Sequence, residues 1–165
     1  MDAVTVRDAT LEDAAAIAAI YNEGIEDRLA TLETGLRSAD ERRSWLETHG
    51  ERHPVLVAQR DGRVMAWGSL NRFNPRPAYD HVVDFSIYVS RAARGRGVGR
   101  VLLTALIDRA RALGFHKMVL AAFPGNTAGM RLYESMGFKT VGGYREHGRL
   151  DSRWVDVVLM AQILG

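Results

Sequence analysis

DFSIYVSRAARGRGVGR, residues 84–100, starts as an apolar strand and passes through a run of Arg and Gly. It leaves on a helical pattern of Val98, Val101, Leu102, Ala105, Leu106, Ala110 and Leu113. A strand that opens through glycines onto a helix N-terminus makes an anion site, because the free N–H groups of the first turn point outward and the helix dipole favours negative charge. Glycine keeps side chains from holding phosphates away from those N–H groups. Arg91, Arg94, Arg96 and Arg100 add fixed positive charge. The stretch reads as a diphosphate cradle.

Two familiar phosphate loops do not fit. A Walker A loop ends in Gly-Lys-Ser/Thr, whereas Gly99 is followed by Arg100 and Val101. The dinucleotide fingerprint G-x-G-x-x-G fails because Arg100 stands where the third glycine belongs. What remains is R-x-x-G-x-G at Arg94, Gly97 and Gly99. A solvated basic turn or a nucleic-acid patch is the plainer alternative, but a patch needs no strand before it or helix after it.

The rest of the 165-residue chain fits one domain, residues 1–165, with 47% hydrophobic and 25% charged residues. A formal net charge of only +2 argues for local basic spots and against a nucleic-acid surface. With no cysteine, disulfides and thiolate chemistry are excluded. Of five histidines, only His49 and His53 share a helical spacing, and Gly50 and Pro54 break it, so no metal is expected. No membrane span or secretory pattern is visible, which points to the cytoplasm.

In chain order, Thr5–Asp8 is a short strand, and Thr10-Leu-Glu-Asp13 starts a helix that runs on from Ala14 and stops near Gly24. The segment Glu26–Leu36 shows neither period. Ser38-Ala-Asp-Glu41 is a capping box for a second helix, stopped near Gly50 ahead of Pro54. Asp61-Gly62 between the runs 55–59 and 63–70 signals a hairpin. Asn71–Asp80, with two prolines, is an irregular loop whose Arg72, Phe73, Arg76 and Tyr79 suggest a pocket for an anionic small molecule, or merely solvated arginines.

On the strand 81–89, Val83, Phe85, Ile87 and Val89 share one face, while Val82, Asp84, Ser86 and Tyr88 share the other. A mid-strand acid is costly when buried without partners, so Asp84 is expected to line a wet cavity. An edge position or an Arg partner is the alternative. Later come a helix ended by Gly114, a strand 118–122, a helix from Asn126 closed by Gly137, and strands 138–144 and 154–161 joined by a charged connection, 145–152. The order β-α-α-β-β-β-α-β-α-β-β predicts an α+β fold around a mainly antiparallel sheet.

The glycine turn resembles the acetyl-coenzyme A motif of the GNAT N-acetyltransferase superfamily, V-x-P-x-x-R-G-x-G-I-G. Val89, Arg94, Gly95, Gly97 and Gly99 fall in register, with Val98 for Ile and Arg91 in place of Pro. Residues 126–138, NTAGMRLYESMGF, match the superfamily's N-x-x-A-x-x-L-Y-x-x-x-G-F, with Gly129 for Ala. The resemblance implies a GNAT fold, whose mixed sheet splays between strands 4 and 5 and carries helices on both faces. The pantetheine arm of acetyl-CoA would lie in the splay against Ile87, Tyr88 and Val89, as an added strand does. Its pyrophosphate would meet Arg94, Gly95, Arg96, Gly97, Val98, Gly99 and Arg100, and Asn126 would bond the arm or act only as an N-cap.

Within the superfamily the chain resembles the phosphinothricin and methionine sulfoximine acetyltransferase group, on Ile20-Tyr21-Asn22, Leu32-Glu33-Thr34, residues 54–58, 76–80, Tyr88-Val89 and Arg131-Leu132. That group commonly has Glu where this chain has Asp84, and often His where it has Tyr133. The resemblance implies acetyl transfer to a small amino-acid-like amine, and a homodimer with 32–36 or the C-terminal strands near the interface. Asp84 is then the candidate base or ammonium anchor. Tyr133 is the candidate acid for the leaving thiolate, or a core aromatic. Arg72 and Arg76, walled by Phe73 and Tyr79, would take the acidic groups of the substrate. Competing readings are an aminoglycoside, polyamine or protein N-terminal acceptor, and a non-catalytic acyl-CoA-binding module.

Overall fold

The structure, a computed structural model, describes residues 3–165. Its elements follow the expected order: β1 (Thr5–Asp8), α1 (Ala14–Glu26), α2 (Ala39–Thr48), β2 (Val55–Arg60), β3 (Arg63–Arg72), β4 (Val82–Val89), α3 (Val98–Ala112), β5 (Lys117–Ala122), α4 (Thr127–Ser135), β6 (Lys139–Leu150) and β7 (Arg153–Ile163). The strands form one sheet in the order β1-β2-β3-β4-β5-β7-β6. Every neighbouring pair is antiparallel except β4 and β5, which run parallel.

Helices cover both faces because the strands alternate apolar residues to both sides. Leu102, Leu103, Leu106 and Ala110 of α3 pack on Leu56, Leu70, Val83 and Phe85. On the opposite face Ile17, Ile20, Tyr21 and Ile25 of α1 pack on Val55, Val57 and Trp67, with Tyr88 beside them. The helices start where read, although the Glu41 carboxylate accepts from Arg42 and leaves the Ser38 box half made. Asp13 Oδ2 accepts from the Thr10 N–H at 2.7 Å, and Ser38 Oγ accepts from the Glu41 N–H at 3.0 Å. Asp61 (φ 53°) and Gly62 (φ 72°) make the tight hairpin turn with both central residues left-handed.

Two boundaries differ from the sequence reading. Helix α1 runs through Gly24 to Glu26. A Cβ on Gly24 would stand 3.1 Å from Tyr88 Cδ1, so this glycine permits close helix–sheet approach and ends nothing. The charged connection 145–152 is mostly strand, since β6 continues to Leu150 and turns at Asp151 and Ser152 (φ 50° and 66°). Because β6 is an edge strand exposed along most of its length, charge there marks solvent and not a loop.

The pairing of β4 with β5 joins Val82–Asp84 to Lys117–Val119 and then stops. From Phe85 onward the two strands part, which is the splay the family resemblance implied. The seam between them leads to the glycine turn before α3.

Candidate active site

At the mouth of the seam, Gly95 (φ 75°) and Gly97 (φ 82°) are left-handed, and Gly97 caps α3. A Cβ on either would meet nothing within 4 Å. These two glycines are required by backbone conformation and not by local space. Gly99 differs: its Cβ would lie 3.3 Å from Leu132 Cδ2, so it lets α4 approach α3. The Val101 N–H donates to Gly97 O. The N–H groups of Val98, Gly99 and Arg100 precede that first helical bond and are the donors a helix start leaves for an anion.

The arginines divide. Arg94 and Arg100 line the cleft at this mouth. Arg94 Nη1 bonds Asp27 Oδ2 at 2.6 Å and its Nε donates to Val89 O at 3.3 Å. Arg100 Nη2 donates to Ser135 Oγ at 2.7 Å. Arg96 is exposed and lies outside the cleft lining among the described residues. Arg91 does not serve the cradle: it pairs bidentately with Asp27 (2.9 and 3.0 Å) and reaches Glu23 and Glu26. Hydrogen bonds from Arg91 and then Arg94 hold the Asp27 carboxyl down to a pKa of about 2.

The cleft itself has a volume of about 700 Å³ and is walled by Ile87, Tyr88 and Val89 on one side and by Asn126 and Tyr133 on the other. The Ser90 N–H donates to Met65 O at 2.8 Å. Backbone polar groups alternate sides along a strand, so those of Val89 and Ile87 face away from β3 and into the seam. Asn126 is an N-cap, with Oδ1 accepting from the Gly129 N–H at 3.0 Å, and it also lines the cleft. Gly129 replaces the motif's Ala where a Cβ would fall 2.6 Å from Asn126 Nδ2.

Leu29, Ala30 and Arg131 also line the cleft, and sequence reasoning did not assign them there. The first two lie in the stretch without periodicity, which carried no signal. Arg131 stood beside Leu132 in the second motif and was legible only as part of it.

At the inner end, Tyr133 packs edge-on against Phe85 (6.0 Å) and Phe138 (6.4 Å) and also lines the cleft. Burial raises its pKa to about 12, so it is protonated at neutral pH. Asp84 lies on the central strand β4, largely buried, with no Arg partner among the described residues and no place in the cleft wall. Asn71 Nδ2, across on β3, donates to Asp84 Oδ1 at 3.4 Å. Burial pushes the Asp84 carboxyl up to about 6, against a smaller lowering by that bond. Its strand neighbours Ser86 and Tyr88 line a narrow gap of about 40 Å³ between β4 and β5, together with Tyr133.

Arg72, Phe73, Arg76 and Tyr79 are not brought into the cleft. Phe73 and Tyr79 pack on each other at 5.5 Å, and all four are exposed on the segment that leaves β3. Arg72 ends β3 opposite Val83, one residue from the Asn71–Asp84 pair, so the loop borders the inner end of the site. Among the described residues no group of His, Asp and Glu is placed to hold a metal ion.

A glycine turn with three outward N–H donors between Arg94 and Arg100 suits a diphosphate. A seam whose strand groups no neighbouring strand takes up suits an amide-bearing arm. One molecule, coenzyme A, carries both, and the fold and site together define an acyl-CoA-dependent transferase. The profile of the acetyltransferase (GNAT) family matches residues 17–138, and the chain belongs to that family.

It is 35% identical over 158 residues to the L-methionine sulfoximine/L-methionine sulfone acetyltransferase of Pseudomonas aeruginosa, covering 94% of this chain and 92% of that one. The crystal structure of a phosphinothricin acetyltransferase from Sinorhizobium meliloti in complex with acetyl-CoA superposes with a TM-score of 0.90 at 34% identity, covering 98% of this chain and 89% of that one. The structure of a ribosomal-protein-alanine N-acetyltransferase from Brucella melitensis gives 0.93 at 37% identity, covering 96% and 99%.

Proposed function

We propose that this chain transfers the acetyl group of acetyl-CoA to the amino group of a small amino-acid-like substrate of the phosphinothricin, methionine sulfoximine or arsinothricin type. The observation that carries the reading is the open β4–β5 seam, with the glycine turn at its mouth, Tyr133 in its wall and Asp84 on β4 where the pairing with β5 ends. The names of the Pseudomonas and Sinorhizobium relatives support the acceptor class.

Acetyl-CoA supplies the activated thioester. The turn 95–100 binds its diphosphate through the α3 N–H groups, Arg94 and Arg100, and the edge of β4 at Ile87 and Val89 aligns the arm. Holding amine and thioester side by side supplies most of the rate advantage. Asp84 takes the proton of the substrate ammonium through water, or anchors that ammonium. A β4 backbone N–H near Val89 polarises the carbonyl. As the new C–N bond forms and the C–S bond breaks, Tyr133 gives its phenolic proton to the departing sulfur, and the second proton that the acylated nitrogen sheds returns through water to the Tyr133 phenolate. The loop with Arg72 and Arg76 meets the carboxylate and acidic side group of the substrate from outside the cleft. Arg96, exposed beside the turn, acts on the diphosphate only at long range.

The Brucella relative's name favours a second acceptor, a protein N-terminus. Thiol release measured with phosphinothricin, methionine sulfoximine, methionine sulfone and an alanine-ended peptide separates the two. Turnover with the peptide alone would reverse the assignment.

The protein acts as a homodimer in the cytoplasm. Support for the dimer is the long exposed edge strand β6, whose hairpin with β7 shows Val141, Tyr144 and Trp154 to solvent. Among the described residues no helix is long and apolar enough to cross a membrane.

A further inference from the structure

Asp84 is a short acid, set back from the cleft that its chemistry must serve. Three polar side chains stand with it on the α1 side of the sheet, where register places Asn71 opposite Asp84 and Ser69 opposite Ser86. Ser69 Oγ bonds Asn71 Oδ1 at 2.8 Å, Asn71 Nδ2 donates to Ser86 Oγ at 3.1 Å, and the same nitrogen donates to Asp84 Oδ1 at 3.4 Å. An ionised carboxylate only accepts, so the amide nitrogen of Asn71 must face it. The amide oxygen must then face Ser69, whose hydroxyl donates. Both amide protons are committed, one to Asp84 and one to Ser86. The Ser86 hydroxyl therefore accepts from Asn71, and its own proton is left to turn into the β4–β5 gap that Ser86 lines.

We propose that Asn71 is a positioning residue for the transfer reaction, locking Asp84 and the gap-lining Ser86 into one hydrogen-bonded unit so that a carboxylate set back from the cleft can act at the seam. The proposal rests on the reading of Asp84 as base or ammonium anchor. Among the described residues, no charged side chain other than Asp84 itself hydrogen-bonds within the unit. On β4 the Tyr88 phenol is the ionisable group that feels the Asp84 carboxylate. On β5, Val119 is opposite. From α2 and its end, Arg42 lies over Tyr21 and Trp45, and His49 bonds Leu70 O. On β3, Ser69 and Asn71 are neutral. Nothing but the Asn71 amide donates to the carboxylate from a side chain among the described residues.

The test compares pH profiles of kcat/KM for the native enzyme, Asn71→Leu and Asn71→Leu/Asp84→Glu, with acetyl-CoA and whichever amine the panel identifies. Loss of the donor destabilises the carboxylate, so Asn71→Leu is expected to move the acid limb to higher pH and to lower kcat on the order of tenfold. KM for acetyl-CoA should hold within about twofold, because the cradle is untouched, and calorimetric binding of acetyl-CoA confirms the variant is folded. The longer acid should recover part of kcat by reaching the seam without help.

An Asn71→Leu enzyme with an unmoved acid limb and native kcat overturns the proposal. Asp84→Asn, run alongside, tells the two readings apart. If that variant is inactive while Asn71→Leu is normal, only the role of Asn71 is wrong. If it is fully active, the role of Asp84 falls and this proposal with it.

Discussion

Asp84 couples stability and rate to pH in opposite directions. Its carboxyl titrates near 6 in the folded chain against 3.8 for an unperturbed group, because burial disfavours the charge. Between those values the folded state keeps a proton that the unfolded chain has released. Stability from this group is therefore full below about pH 4 and falls as pH rises through about 6. Asp84→Asn stays neutral, so it should be more stable than the native chain near pH 8, by at most ~3 kcal/mol, and level with it near pH 4. Thermal melts at the two pH values check this. The role proposed for Asp84 needs the charged form, so kcat/KM of the native enzyme should fall below about pH 6 while the fold gains stability. The acid role proposed for Tyr133 calls for the opposite protonation state. With its pKa near 12 it keeps its proton throughout the working range, and Tyr133→Phe should lower kcat on the order of 10²-fold with no new alkaline limb. Native kcat in that variant would leave Tyr133 as a core aromatic on Phe85 and Phe138. The polarity of Asp84 in a strand was legible in the sequence because alternation put it opposite an apolar face. Its dependence on Asn71 was not, since the two lie 13 residues apart and meet only through the β3–β4 register.

Between elements, one close joint near the site is α3 on β3. A Cβ on Gly68 would stand 2.8 Å from Leu106 Cδ1, 3.0 Å from Ser86 O and 3.2 Å from Ile87 Cγ1. Gly68→Ala must push α3 outward or displace β4 at the seam. A loss of about 1–3 kcal/mol is expected in chemical denaturation, together with weaker acetyl-CoA binding. Gly97→Ala separates conformation from space, since its methyl meets nothing yet its φ is 82°. It should raise the acetyl-CoA dissociation constant roughly tenfold, in line with a left-handed penalty of about 1–2 kcal/mol. Calorimetric titration reads this directly, and unchanged affinity would mean the turn keeps its shape without glycine. Local signals carried most of the elements: the caps at Thr10 and Ser38, the Asp61-Gly62 turn and the stop at Gly114. They failed where a residue answers to a neighbour distant in sequence. Gly24 admits Tyr88 instead of ending α1, and Arg91 answers three carboxylates of α1 and its end instead of a phosphate.

Over the whole molecule, the order of elements along the chain was legible from local signals, and the β4–β5 splay through the family resemblance that the two motifs, at the glycine turn and at 126–138, carried. The extent of β6 and β7 was not, because an edge strand can carry charge on either face without penalty. That same exposure bears on assembly. Among the described residues, strand β6, 12 residues long, pairs with β7 alone and has no strand on its outer edge. Val141 is 66% exposed, Tyr144 51% and Trp154 60%, which is a costly display for a lone chain. Leu32 packs against Gly148, and Arg28 pairs with Asp151 at 2.9 Å, so the segment after α1, whose Leu29 and Ala30 wall the cleft, is braced on this hairpin. A second copy seated on β6 and β7 would cover the apolar residues and stiffen that wall together. The intact protein should therefore sediment as a dimer at micromolar concentration, and Val141→Glu/Trp154→Glu should sediment as a monomer with a raised KM for acetyl-CoA. A monomeric native protein would refute the assembly. A monomeric variant with native KM would leave the dimer in place but disconnect it from the cleft.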